Sequence, residues 1–255
     1  MIIFYILHSG FVALSTLLLS LVYVILGWWY LLLPPFKRFR HFYYFIAVPW
    51  IFIVMRVFLY TRLKVIGKKN VDPKRGTLYI CNHQSWIDVP FVLRYTHALA
   101  VAKKEVRRLP LVGLLIMYAG PIYVDRDDKS SRLSIVKSLI QVFKNNHSIN
   151  IFPEGTRSRD GSLLKPNLAA IKLCYKLKVP VVPMSIEGTR DILPRKRFYL
   201  KCFQKVILKI NEPIHPENFE NDSLFAEACW GKVNTSHQEV LKEFFPNKYH
   251  QIYEN

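Results

Sequence analysis

The hydrophobic pattern of the chain begins with one long apolar run. Positions 1 to 36 contain no Lys, Arg, Asp or Glu, and Phe11 to Leu33 is almost wholly apolar. A stretch of about 20 apolar residues is long enough to cross the hydrocarbon core of a bilayer. The start lacks a basic region, and the run exceeds the roughly 7 to 15 apolar residues of a cleaved signal peptide. The pattern therefore predicts a membrane anchor that is retained.

A second, shorter apolar stretch runs from Phe42 to Met55. Its length is typical of an interfacial or re-entrant helix rather than of a span. Basic residues flank it on both sides: Lys37, Arg38 and Arg40 before it, Arg56 and Arg62 after it. The positive-inside rule then places both of its ends in the cytoplasm. We expect one span or a deep hairpin from the first run, with the second stretch at the boundary of the cytoplasmic leaflet. A buried core helix is the alternative for the hydrophobic segment.

The remainder of the chain alternates short apolar runs with helical patterns. Strands are predicted near Leu78 to Cys81, Ala98 to Ala102, Pro121 to Val124, Ser148 to Phe152, Val179 to Ser185 and Lys205 to Ile210. An amphipathic helix capped by Ser130 and a closing helix from Leu224 to Phe244 are also predicted. Such alternation indicates a layered α/β domain. We therefore divide the chain into an anchor at residues 1–62 and a catalytic domain at residues 63–255.

The segment Asn82 to Asp88 contains a candidate acid–base pair. The neutral imidazole of His83 can take a proton from a hydroxyl near cytosolic pH, and the Asp88 carboxylate can orient the ring. On a regular helix, positions five apart lie roughly 140° apart and do not touch. His83 is therefore expected in a turn that precedes the helix carrying Asp88. For this pair of residues taken alone, the alternative is that His83 caps a helix and Asp88 makes a surface contact.

A candidate serine or cysteine nucleophile is missing from this segment. The chain has no Gly-x-Ser-x-Gly, and Ser85 lacks the flanking glycines of a strained nucleophile turn. This favours the hydroxyl of the substrate itself as the nucleophile, activated directly by the histidine.

Three further blocks follow in order. They are Gly120 to Arg126, Phe152 to Ser158 (Phe-Pro-Glu-Gly-Thr-Arg-Ser), and Val179 to Ser185; Lys103 to Val106, with Pro110 and Gly113, lies before the first of them. With the His83 segment, these three blocks resemble the four blocks of the glycerolipid acyltransferase family, whose best-known members are the 1-acylglycerol-3-phosphate acyltransferases. The likeness runs from about Gly67 to Pro213. Four ordered blocks are far more specific than any one of them.

The resemblance assigns roles to individual residues. It implies that His83 is the general base and Asp88 its partner, and that Arg126 belongs to the acceptor-binding second block. It also implies acceptor binding by the third block and by a second cation: Glu154, Gly155, Thr156, Arg157 and Lys103. Arginine matches phosphate oxygens with a fork of donors, and lysine offers a point charge. The implied fold is a layered αβα domain.

Two features depart from the simple pattern. Where related sequences commonly have Phe-Lys-x-Gly, this chain has Leu164-Lys165-Pro166-Asn167, which affects the shape of the acceptor pocket but keeps a third cation. The tetrapeptide Glu154 to Arg157 recurs as Glu187 to Arg190, but the flanking residues do not match. We interpret Arg190 as a surface or interface arginine rather than as part of a second phosphate site.

The amino-acid composition limits the kinds of partner that the chain is expected to bind. There are 36 Lys and Arg against 18 Asp and Glu, and such a surface attracts nucleic acid or anionic lipid. The basic residues are dispersed and no nucleic-acid-binding motif accompanies them, so an anionic membrane surface is the expected partner and nucleic acid is not. The four cysteines form no Cys-x-x-Cys pair, which favours reduced and mostly buried thiols. We expect no metal and no cofactor.

These patterns predict a membrane-bound enzyme. It would move a fatty acyl group from acyl-CoA or acyl carrier protein to the sn-2 hydroxyl of lysophosphatidic acid, and the product would be phosphatidic acid. The domain is expected on the cytoplasmic face of a bacterial inner membrane or of the endoplasmic reticulum. Two alternatives stay open: an acceptor such as lysophosphatidylglycerol or a lyso-aminolipid, and a non-catalytic, membrane-tethered protein that binds anionic lipids.

Overall fold

The computed structural model describes residues 1–32, 41–103, 108, 111, 113–114, 122–124 and 131–254, with the backbone alone for 30–31, 101–103, 122–124 and 131–135. The helices are α1 (Ile2–Gly27), α2 (Tyr43–Phe58), α3 (Asp88–Thr96), α4 (Ser131–Lys144), α5 (Ala169–Leu177), α6 (Asp222–Phe244) and α7 (Pro246–Tyr253). Short helical turns lie at Trp28–Leu32, Lys68–Asn70, Thr189–Ile192 and Pro216–Asn218. The strands are β1 (Arg62–Ile66), β2 (Leu78–Cys81), β3 (Ala98–Lys103), β4 (Ile122–Val124), β5 (Ser148–Ile151), β6 (Val181–Glu187) and β7 (Lys205–Ile210).

The strands form one seven-stranded sheet in the order β1-β7-β6-β2-β5-β3-β4. Strand β2 lies at its centre and pairs in parallel with both β5 and β6, while β6 and β7 pair in the antiparallel sense. Parallel neighbours end at the same edge of a sheet, where open α/β folds bind their ligands. The segments that follow β2, β5 and β6 therefore converge.

Both faces of the sheet are covered by helices, as the alternation of strand side chains requires. On one face Tyr79 and Cys81 pack with residues of α2 and α3, including Met55 and Phe91. On the other face Leu78 and Ile80 belong to a second cluster. Its other members include Ile149 of β5, Leu139 of α4, Ile171 of α5 and Phe225 of α6. The prediction of a layered α/β fold is confirmed.

Helices α1 and α2 form an antiparallel hairpin. The Phe11 ring lies 6.0 Å from the Phe58 ring, and the Trp50 indole donates to the Ser20 hydroxyl at 3.1 Å. The inner side of α2 is core, because Ile51 is buried and Arg94 of α3 donates to the Val48 carbonyl at 3.1 Å. Among the described residues, α1 is long and apolar enough to cross a membrane by length and composition, and most of it is exposed.

The strand predictions agree closely with the structure, but three of the helices and strands were not predicted, namely β1, α5 and α7. Strand β1 begins at Arg62 and pairs with β7, so the sheet starts at the residue that we gave as the end of the anchor. Pro246 ends α6, as expected, but it also opens α7, since proline is well tolerated in the first turn of a helix. The predicted cap Ser130 lies outside the described residues. All four cysteines are buried, as predicted.

Candidate active site

His83 lies in the turn that joins β2 to α3, and Asp88 is the first residue of α3. The prediction that the histidine precedes the helix is confirmed. The Nδ1 atom of His83 lies 2.8 Å from Oδ2 of Asp88. This contact fixes which ring nitrogen faces the carboxylate and leaves Nε2 as the nitrogen available to a substrate.

The Asp88 carboxylate is fully buried and surrounded by donors. Its Oδ2 accepts the backbone N–H groups of Gln84 at 2.6 Å and Ser85 at 2.7 Å, in addition to the imidazole. Its Oδ1 accepts the hydroxyl of Thr189, from the segment that follows β6. A buried carboxylate needs such donors because burial alone disfavours the charged form. The four donors hold the Asp88 carboxylate in one fixed orientation beside the imidazole.

The imidazole of His83 is held on a second side by Phe152, the first residue after β5. The two rings stack with centroids 4.3 Å apart and an interplanar angle of 24°. The His83 side chain is still 15% exposed, whereas Asp88 is not exposed at all. The ring is thus restrained by a carboxylate and an aromatic face but remains open to solvent at one edge.

Glu154 ties the third block to the histidine turn. Its Oε1 accepts the backbone N–H of His83 at 2.9 Å, and its Oε2 accepts that of Leu164 at 3.1 Å. Burial raises the pKa of this carboxyl group to about 7, although both hydrogen bonds oppose the shift. The side chain that the family resemblance assigned to the acceptor therefore points at backbone amides and joins two loops.

Arg157 is the cation of the third block. Its guanidinium lies 5.0 Å from the centroid of the exposed Trp86 ring, and the backbone N–H of the next residue, Ser158, donates to the His83 carbonyl at 2.8 Å. Burial and the nearby Arg195 lower its pKa. Within the part of the chain that the structure describes, this guanidinium forms no salt bridge. Its donors are therefore available to an anion beside the histidine turn.

The structure gives fewer contacts for the other residues of the predicted site. Gly155 has a φ of 66°, a left-handed conformation that glycine adopts at no steric cost, and Thr156 is exposed. Lys103 is the last residue of β3, but its side chain lies outside the described atoms, as does the whole of Arg126. Lys165 is exposed and lines an open pocket of about 340 Å³ with Trp230 and Tyr253.

The second Glu-Gly-Thr-Arg tetrapeptide is part of the site, which the sequence analysis did not predict. Gly188 has a φ of 95°, and a Cβ there would lie 2.0 Å from the Lys205 carbonyl oxygen, so the turn requires glycine. This turn brings Thr189 to Asp88. Arg190 donates to the carbonyl of Arg159 at 3.3 Å and so contacts the loop of the third block.

Glu187, at the end of β6, is the centre of a buried polar cluster behind the histidine turn. It accepts hydrogen bonds from Gln84 at 2.6 Å and Lys248 at 2.8 Å, and His237 lies 3.4 Å away. Burial would raise the pKa of Glu187, but the hydrogen bond from His237 and the charge of Lys248 outweigh it and lower the pKa to about 2. The cluster links the histidine turn to α6 and α7.

Comparison with known proteins agrees with this geometry. The Acyltransferase family model matches residues 62–187. The 1-acyl-sn-glycerol-3-phosphate acyltransferase of Saccharomyces cerevisiae is 30% identical over 213 residues, which cover 80% of this chain and 68% of the yeast protein. The chain belongs to the family of 1-acyl-sn-glycerol-3-phosphate acyltransferases.

Other members of this acyltransferase family show the same relation. The alpha form from Ovis aries is 29% identical, with 71% of this chain and 63% of that protein aligned. The chain spans about half of the chloroplastic enzyme of Arabidopsis thaliana, at 30% identity. The crystal structure of PlsC, the LPA acyltransferase of Thermotoga maritima, superimposes with a TM-score of 0.74 at 26% identity and covers 92% of this chain and 97% of PlsC.

Proposed function

We propose that this acyltransferase transfers a fatty acyl group from acyl-CoA or acyl carrier protein to the sn-2 hydroxyl of lysophosphatidic acid. The observation that carries the proposal is the contact between His83 Nδ1 and the buried Asp88, with the opposite edge of the ring open and Arg157 on the adjoining loop. The names of the similar proteins support the same acceptor.

The proposed chemistry is a direct transfer. The Nε2 atom of His83 takes the proton of the acceptor hydroxyl while the oxygen attacks the thioester carbonyl carbon. The C–S bond then breaks, and the imidazolium returns its proton to the departing thiolate. Asp88 stabilises the imidazolium between these two steps, in the way that the third member of a catalytic triad does.

The acceptor is proposed to bind through its phosphate. Arg157 presents its donors beside the His83 turn, and Glu154 holds that turn against the third block. Lys103 and Arg126 are proposed as further cations on the basis of the sequence blocks. An anchored phosphate would orient the sn-2 hydroxyl toward Nε2, and such positioning can contribute several kcal/mol to catalysis.

The enzyme is proposed to work at the cytoplasmic face of a membrane. The exposed apolar surface of α1 supports insertion of the hairpin. Protease accessibility of the domain in oriented membranes would test the orientation, since protection from protease on the cytoplasmic side would contradict it.

A panel of acceptors tests the proposed function. Purified protein in mixed vesicles would be supplied with acyl-CoA or acyl carrier protein and with lysophosphatidic acid, lysophosphatidylglycerol or a lyso-aminolipid, and thiol release and product mass would be measured. We expect turnover with lysophosphatidic acid and a product that is phosphatidic acid. Preference for an acceptor without a phosphomonoester would transfer the assignment to another lysolipid. Lipid binding without thiol release from either donor would support the non-catalytic alternative.

A further inference from the structure

A loop of aromatic and basic residues, 194–203, is exposed on the surface beside the hairpin. Phe198 is 80% exposed and Phe203 is 57% exposed, although residues of this size and type are usually buried. The Phe203 ring stacks on Tyr60 with centroids 5.0 Å apart, and both residues have left-handed backbone angles, φ 61° and φ 51°. Such angles are unfavourable for residues with large side chains. The fold thus holds an aromatic pair in an exposed position.

The loop is continuous with the apolar surface of α1. Tyr199 stacks on Tyr5 with centroids 6.2 Å apart, and the backbone N–H of Leu200 donates to the Ser9 hydroxyl at 2.7 Å. Phe4 on α1, whose ring centroid lies 5.6 Å from that of Tyr5, is exposed as well. Loop and helix together form one apolar area that is larger than isolated surface residues would make, and such areas mark interaction sites.

The charges beside this area suit an anionic partner. Arg195 and Lys196 are exposed and directly precede the aromatic residues. Arg197, by contrast, is turned inward, where its guanidinium donates to the carbonyls of Asp191 at 2.6 Å and Ile192 at 2.5 Å and supports the loop. Aromatic side chains next to Lys and Arg are typical of the boundary between headgroups and acyl chains. A basic residue near an anionic leaflet strengthens the attraction about fivefold.

We propose that loop 194–203 is a second membrane contact, separate from the hairpin, which inserts Phe198 and Phe203 into the headgroup boundary and places Arg195 and Lys196 on the phosphates of anionic lipids. The occupant of this surface is the bilayer in which α1 is embedded, because the loop packs against α1 itself. Arg195 is also close enough to Arg157 to perturb it electrostatically. The loop would thus bring the membrane surface next to the candidate phosphate site and let a lysolipid reach it from the side.

A fluorescent label tests the contact without requiring turnover. Phe198→Cys would be labelled with an environment-sensitive dye on the full chain, reconstituted in neutral and in anionic vesicles. Leu224→Cys, an exposed position in the first turn of α6, is the matched control, and the wild type with its buried cysteines is the labelling blank. We expect a blue shift and quenching by brominated lipid at position 198 only, more strongly in anionic vesicles. Equal signals at 198 and 224 would overturn the proposal, as would a shift in detergent that depends on protein concentration, since that indicates a second copy.

A kinetic experiment tests the consequence, and it rests on the proposed function. Phe198→Asp should lower turnover of a long-chain lysophosphatidic acid in vesicles and leave turnover of a water-soluble short-chain acceptor unchanged, while Phe198→Trp should retain both. Equal losses with both acceptors would contradict a membrane role for the loop. If the wild type has no acyltransferase activity but the label at position 198 still enters the lipid, the proposed function fails and the membrane contact stands.

Discussion

Thr189→Val removes one hydrogen bond from Asp88, the partner of the proposed general base His83, with little change in side-chain volume. The Thr189 hydroxyl is the donor that the described part of the structure provides to Oδ1 of the fully buried Asp88. A hydrogen bond to a charged group contributes about 1.5–3 kcal/mol. If this whole energy is lost from the transition state and not from the ground state, the rate falls roughly 10- to 150-fold.

We expect the lower end of this range. Oδ2 of Asp88 keeps the imidazole and the N–H groups of Gln84 and Ser85, so the carboxylate loses one of four donors. The expected result is a decrease in kcat of about tenfold with little change in KM, and a loss of stability of about 2 kcal/mol.

The assay is thiol release from acyl-CoA over a range of acceptor concentrations, with unfolding followed in detergent. Thr189→Ser should restore the rate because it keeps the hydroxyl. Thr235→Val, at an exposed position where the hydroxyl donates to the helix carbonyl of Gly231, is the control. A Thr189→Val enzyme with unchanged kcat would show that this hydrogen bond does not support the imidazole during transfer. A loss of stability alone would show that the threonine has only a structural role.

Three further predictions concern the charged residues around the site. Glu154 has a raised pKa of about 7 against an ordinary 4.5, so its contribution to stability is present below pH 4.5 and lost as pH rises through 7. Glu154→Gln should abolish this loss of about 3 kcal/mol in pH-dependent unfolding, and an unchanged slope would contradict it. Arg157→Lys keeps the charge but loses the planar fork and the contact with Trp86, so KM for lysophosphatidic acid should rise about tenfold with kcat retained; an unchanged KM would argue against phosphate binding. Lys248→Met leaves Glu187 buried without its cation and should lower the free energy of unfolding by about 3 kcal/mol at neutral pH, so an unaltered denaturation midpoint would disprove this role.

Sequence patterns were sufficient for the layered fold because the central strands are continuous apolar runs. The bounds of β7 were predicted to the residue, and those of β2 as well. Strand β1 was not predicted, since Arg62 and Lys64 interrupt its apolar pattern and it follows a hydrophobic helix. Strand β1 pairs with β7, which lies about 140 residues later in the chain, and the periodicity of a short segment cannot predict such a distant contact.

In the site, too, contacts between residues close in sequence could be predicted, whereas contacts between distant segments could not. The contact of His83 with Asp88 could be predicted because it lies within a single turn and helix start. The role of Thr189 could not, because it depends on the parallel pairing of β2 with β6. The repeated tetrapeptide was the one sequence feature that pointed to Thr189. The two copies have the same sequence but different contacts: Glu154 accepts hydrogen bonds from backbone amides, whereas Glu187 belongs to a buried ionic cluster.

The most direct test of the account is the turnover of His83→Ala with lysophosphatidic acid as acceptor. The variant should remain folded and membrane-bound but lose about a thousandfold in acyl transfer, because it has no group to take the hydroxyl proton. His250→Ala, which removes an exposed imidazole on α7, should retain the wild-type rate. Phosphatidic acid formed by the His83→Ala enzyme at a rate near that of the wild type would contradict the role of His83 as the general base.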